Sequence, residues 1–123
     1  MAATIVGQLG AVDVPGTATL TDIYTVPTAA PGVPNRISDV NVFITNRTDV
    51  TTNIRLAHIK GGLAAAVSDE DYIFFDLPTS ALSSNLAPVE KSGILMAEGD
   101  TIAVYSSDEA LSVQVNGVEG DET

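Results

Sequence analysis

Asp39-Val40-Asn41-Val42-Phe43-Ile44-Thr45 decides the fold. Val40, Val42 and Ile44 fall on one side, and Asp39, Asn41 and Thr45 on the other. This period of two marks a β-strand with one wet face. The same alternation returns along the chain. Ile54, Leu56 and His58 alternate with Arg55 and Ala57, and Ile102 and Val104 with Thr101 and Ala103. Leu111, Val113 and Val115 alternate with Ser112, Gln114 and Asn116. Tyr72-Ile73-Phe74-Phe75 is apolar on both sides, which predicts a more central strand covered on both faces.

Working outward, strands are expected at Thr4–Leu9, Ala18–Val26, Arg36–Thr45, Asn53–Ile59, Asp71–Leu77, Leu82–Ala87, Thr101–Ser106 and Leu111–Val118. Turn chemistry separates them. Pro27 to Asn35 carries three prolines and a glycine, which suits a loop. Asn46-Arg47-Thr48-Asp49, Gly61-Gly62 and Glu98-Gly99-Asp100 are further breaks. Leu63 to Asp69 and Glu90 to Met96 are each expected to form one short helical turn. The predicted class is all-β: a single β-sandwich, jelly-roll-like, of about eight mainly antiparallel strands with an N-terminal arm. The pattern does not give strand order, so a jelly roll, another sandwich and a barrel stay open.

A length of 123 residues fits one domain. Residues 1–16 read as an N-terminal arm or edge strand, 17–119 as the sandwich and 120–123 as an acidic C-terminal tail. Sixteen acidic side chains stand against five basic ones, giving a net charge of -11. That balance argues against sequence-independent binding to nucleic acid or anionic lipid, which needs Lys and Arg at phosphates. With no Cys there is no disulfide framework and no Cys-ligated metal. Met1 to Gly10 lacks the basic start of a secretory signal, and no apolar run is long enough for a membrane span. A soluble protein is expected. Residues 1–66 hold Asp13, Asp22, Asp39 and Asp49 against Arg36, Arg47, Arg55 and Lys60, so all the net charge falls in residues 67–123. Such polarity is read as solubility, or as an oriented molecule whose neutral half docks.

Catalytic signals are sparse. His58 is the only imidazole, and on an apolar strand face it reads as a packed or interface residue. A Ser-His-Asp arrangement would have to use it as base, yet no G-x-S-x-G elbow exists. Asp69-Glu70-Asp71 is the densest acidic cluster; without a D-x-[DN]-x-[DN]-G loop it reads as a solvated loop ahead of a strand. Asn46-Arg47-Thr48 matches the N-glycosylation pattern, but an ordinary turn is expected there. No catalytic, cofactor-binding or metal-ligating residue is assigned. The arm supplies the candidate interaction residues Thr4, Ile5, Val6 and Leu9. They form an edge strand of the domain, or add a strand to a partner's sheet with Ile5 and Leu9 filling pockets.

The order of segments also carries a resemblance. Ile23-Tyr24-Thr25-Val26-Pro27, Val42-Phe43-Ile44-Thr45-Asn46-Arg47-Thr48, Asn53-Ile54-Arg55-Leu56-Ala57, Asp71-Tyr72-Ile73-Phe74-Phe75-Asp76, Leu95-Met96-Ala97-Glu98-Gly99-Asp100-Thr101-Ile102 and Val115-Asn116-Gly117-Val118-Glu119 follow one another. Together they resemble the small β-sandwich structural proteins of tailed bacteriophages that decorate or cement the head. The likeness covers about residues 17–119 and not the arm. It implies a virion component on the capsid exterior, made in the host cytoplasm. Its implied partners are the major capsid protein and further copies of itself in a trimer, with no catalytic residue to inherit. It does not separate head decoration from a neck, tail or head-fibre part. The acidity suits the outside of a DNA-filled shell, and a Cys-free β domain is expected to fold quickly after synthesis. Two rival classes stand behind this reading. One is a carbohydrate-binding or host-adhesion sandwich using Tyr24, Tyr72 and Tyr105; the other is a small hydrolase built on paired carboxylates.

Overall fold

A computed structural model describes residues 5–27, 36–48, 50–79 and 89–121. Its strands are β1 (Ile5–Val14), β2 (Thr21–Thr25), β3 (Arg36–Asn46), β4 (Thr52–Ile59), β5 (Tyr72–Thr79), β6 (Val89–Ala97), β7 (Thr101–Ser106) and β8 (Leu111–Asp121). They form two four-stranded antiparallel sheets, with order β1-β8-β3-β6 in sheet A and β2-β7-β4-β5 in sheet B. Consecutive strands cross between the sheets, except β4 and β5, which pair directly. This is the order of a jelly roll.

The alternating side chains make the core. Val40, Val42 and Ile44 of β3 meet Ile54 and Leu56 of β4, Ile102 and Val104 of β7, and Leu111, Val113 and Val115 of β8. Burial of these β-branched and aliphatic groups drives the two sheets together. A second, smaller cluster lies on the outer face of sheet B. There Ala57, Ile59 and Ala103 are covered by Leu20, Ala64, Val67 and Tyr72.

Where the expectations fail, packing beyond the strand explains it. β7 was expected to keep one wet face, yet Thr101 to Val104 are all buried. The loop after β4 folds back over that face, and small residues at 101 and 103 leave room for it. Tyr72–Phe75 was expected at the centre of a sheet, but β5 is an edge strand and Phe75 is 58% exposed. Its second apolar side faces outward at the rim. Glu90 to Met96 is strand, not a helical turn: Ile94 and Met96 are buried in the core while Leu95 points out. The expected strand at Leu82–Ala87 lies outside the described residues. The turn expected over Leu63–Asp69 contains a 3-10 turn at Ala64–Ala66, and a second follows at Asp69–Asp71.

All four edge strands share one device. Register shifts occur where β1 pairs β8, β2 pairs β7, β6 pairs β3 and β5 pairs β4. In each case the surplus residue lies on the edge strand: Leu9 in β1, Ile23 in β2, the Ser92-Gly93 step in β6, and in β5 both the Phe75-Asp76 step and Ile73. The interior pairs β3–β8 and β4–β7 run without a shift. Bulges on edges twist them away from continued pairing. The β2 bulge also lets consecutive residues Ile23 and Tyr24 both enter the core.

Interior pairing has its own demand at Gly117. It sits opposite Val40, where a Cβ would lie 2.1 Å from the Asp39 carbonyl oxygen. Only glycine lets β3 and β8 close at that point.

Strand order also interleaves the two halves of the sequence. β1 to β4 come from the first part of the chain and β5 to β8 from the second, and the two sets alternate in both sheets. Both halves of the sequence therefore contribute strands to both sheets.

Candidate interaction surfaces

The candidate arm residues take three positions. Ile5 and Val6 lie in β1, paired in register with Glu119 and Val118 of the same chain. Leu9 packs against the chain's own core. Thr4 lies outside the described residues. β1 thus forms the outer edge of sheet A, with β8 as its one neighbour. β8 itself continues through Asp121.

At one end of the sandwich, two polar knots bolt the sheets together. Tyr24 Oη, from sheet B, donates to Glu119 Oε2 at 2.5 Å and meets Ser38 Oγ at 2.7 Å, both on sheet A. All three residues are buried, so the bonds satisfy groups that would otherwise be costly in the interior. Beside them, His58 Nε2 lies 2.9 Å from Asp100 Oδ2. Asp100 also accepts from Gly61 N at 2.9 Å and from Ala97 N at 3.1 Å. Burial works against the charged carboxylate, but the bonds from His58, Ala97 and Gly61 outweigh it and hold Asp100 below its ordinary range.

Ser38, His58 and Asp100 line one cleft of about 420 Å³, together with Lys60, Leu95, Met96 and Ala97. His58 points to the same side as Ile54 and Leu56, as the alternation predicts. The cleft does not carry the relay of a catalytic triad, because Ser38 Oγ is bonded to Tyr24 and not to His58. The bond from His58 to Asp100 was not legible in the sequence, since the two residues lie far apart along the chain.

A second arrangement occupies the outer face of sheet B. Arg55 of β4 reaches Asp76 of β5 with Nε–Oδ1 at 2.7 Å and Nη2–Oδ2 at 3.3 Å. Its guanidinium carbon lies 4.0 Å from the Phe75 ring centroid and 4.3 Å from that of Tyr105. Tyr72 meets Phe75 edge-on, at 5.0 Å between centroids. The bond to Asp76 raises Arg55 above its ordinary range, with smaller help from Tyr105 and Tyr72. Asp76 has a φ of 54°, a left-handed conformation that is unusual for a residue with a Cβ. That backbone makes the β5 bulge and turns Phe75 outward. No motif announced this site, because it depends on a bulge that places two residues opposite Arg55.

Two sequence motifs resolve into turn structure. Asn46 is buried; its Nδ2 donates to Val50 O at 2.8 Å and Thr79 O at 3.0 Å. Its Oδ1 accepts from Thr48 N and Oγ1, both at 3.0 Å. The apparent glycosylation pattern is thus a side-chain-braced turn. Asp69-Glu70-Asp71 forms a capping box, with Asp71 Oδ2 accepting from Ser68 N at 2.8 Å. Among the described residues, no three metal-binding side chains come together, and no helix is long and apolar enough to cross a membrane.

No protein-family model, curated protein or solved structure matches the chain.

Proposed function

We propose that this chain is a non-enzymatic virion structural protein that decorates a bacteriophage head and braces the assembled shell. The observation that carries the reading is the strand order, β1-β8-β3-β6 over β2-β7-β4-β5. It is the jelly-roll order, an architecture that serves in viral shells and in lectins. A fold does not fix a function, so the reading draws equally on the phage-like run of segments between residues 17 and 119. Its partners are the major capsid protein and further copies of itself, as a trimer on the capsid exterior. Three modest contacts per trimer act at high effective concentration on a symmetric lattice. A net charge of -11 keeps the protein away from packaged DNA.

A neck, tail or head-fibre position is the nearest alternative and shares every one of these features. The carbohydrate-binding reading ranks behind. It needs free aromatic faces, but Tyr24 is buried and Arg55 lies against the face of Tyr105.

The direct test mixes purified protein with expanded, undecorated phage shells and measures co-sedimentation. Saturable binding at a fixed ratio to the capsid subunit is expected. Binding that never saturates, or none, rejects the reading. An electron micrograph of the coated particle separates head from neck or tail.

A further inference from the structure

At one end of the sandwich the inward-facing rows of two strands change character together. On β3 the buried row Ile44, Val42 and Val40 ends in Ser38, and on β4 the row Ile54 and Leu56 ends in His58. Lys60 directly follows β4. The two strands belong to opposite sheets, and their polar ends line the same cleft of about 420 Å³. That volume falls among small-molecule sites, which run from about 300 to 1,000 Å³. Met96 and Ala97 give the cleft a largely apolar wall.

The polar groups differ in what they have left to offer. Asp100 is occupied, its two oxygens accepting from His58, Gly61 and Ala97. Tyr24 has a single hydroxyl proton and gives it to Glu119. The bond between Tyr24 Oη and Ser38 Oγ therefore uses the serine's proton. Ser38, 4% exposed, is left as an acceptor alone. Lys60, exposed at the rim, is a donor alone.

An acceptor and a donor from opposite sheets, beside an apolar wall, select the ligand. An anion leaves Ser38 without a donor and meets the Asp100 carboxylate. A cation meets the Lys60 ammonium. A neutral hydroxyl both donates and accepts, so hydroxyls carried on a ring with an apolar face answer all of these groups at once.

We infer that the end cleft binds a neutral sugar unit, one hydroxyl donating to Ser38 Oγ, another accepting from Lys60 Nζ, and the C–H face of the ring lying against Met96 and Ala97. No tyrosine stacks on this ligand, so the cleft is distinct from a tyrosine-based adhesion site. Binding here is a second capacity, independent of attachment to a shell, and it is tested without shells.

NMR amide shifts of the isotope-labelled full chain would be followed during titration with methyl α-glucopyranoside, glycerol, propionate and propylammonium. The glucoside is expected to shift Ser38, Lys60, Ala97 and Asp100 saturably, with a dissociation constant on the order of millimolar for a ligand of its size. Glycerol, which has no ring face, should bind more weakly, and the two ions more weakly still. Lys60→Met and Ser38→Ala should each weaken glucoside binding about fivefold, the effect of one hydrogen bond. Thermal melts check that the variants fold, and the exposed Lys60 carries the test should Ser38→Ala not fold. The absence of a saturable shift at these residues overturns the proposal. So does tighter binding of either ion, glycerol binding as tight as the glucoside, or glucoside binding unchanged in Lys60→Met.

Discussion

His58 Nε2 and Asp100 Oδ2 lie 2.9 Å apart at the rim of the end cleft, joining β4 to the turn between β6 and β7. With Gly61 N and Ala97 N also bonded to it, the Asp100 carboxylate ties three segments at one point. Its titration value is depressed in the folded protein relative to about 3.9 in the unfolded chain. The stabilisation is then fully present above about pH 4 and fades as the pH falls through the lower folded value. Asp100→Ala should cost about 2 kcal/mol at pH 7, because it removes three part-buried bonds to a charged acceptor. Urea denaturation at pH 7 and pH 3 checks this. The gap between variant and wild type should narrow in acid, and an equal gap at both values would show that the charge plays no part.

Gly117 and Gly61 offer a contrast in what glycine is for. At Gly117 a Cβ would meet the Asp39 carbonyl oxygen at 2.1 Å, inside the β3–β8 ladder. At Gly61 nothing lies within 4 Å, but φ is +70°. Gly61→Ala should cost about 1–2 kcal/mol, the penalty of a left-handed backbone for an L-residue. Gly117→Ala should cost about 3 kcal/mol or more, since two backbones must part to admit the methyl group. Thermal melts of the two variants rank them directly. The reverse order would mean that β3 and β8 separate easily.

Deleting residues 2–12 removes most of β1 and leaves one edge of β8 unpaired. Leu9 and Val12 pack against the core from this strand. The expected result is a chain with no cooperative thermal transition. A truncated protein that melts normally but no longer associates would instead make the segment a docking arm, with Ile5 and Leu9 as its anchors.

The strands that could be read from the sequence are those whose surroundings match their own pattern. β3 and β8 keep a mostly polar outer face, broken by Phe43 and Val118, so alternation located them to within a few residues. β7 misled because its outer face is covered by the loop after β4, and nothing in Thr101-Ile102-Ala103-Val104 encodes that loop. β5 misled in the opposite sense, its apolar run suggesting a central place although it lies at the rim. β6 was hidden by its own bulge, which shifts the phase between Val89 and Ile94. His58 was placed on the correct side from its spacing to Leu56. Its bond to Asp100, like the bond of Arg55 to Asp76, joins separate strands through geometry that no local window contains.

The pairing of β1 with β8 reaches beyond stability into synthesis. As the ribosome releases the chain, β1 has no neighbour until β8 emerges, and sheet A cannot be completed before then. The expectation of rapid folding therefore does not suit this topology, since distant pairings form slowly. Until β8 is available the apolar side of sheet A is incomplete, which is surface for chaperones to shield.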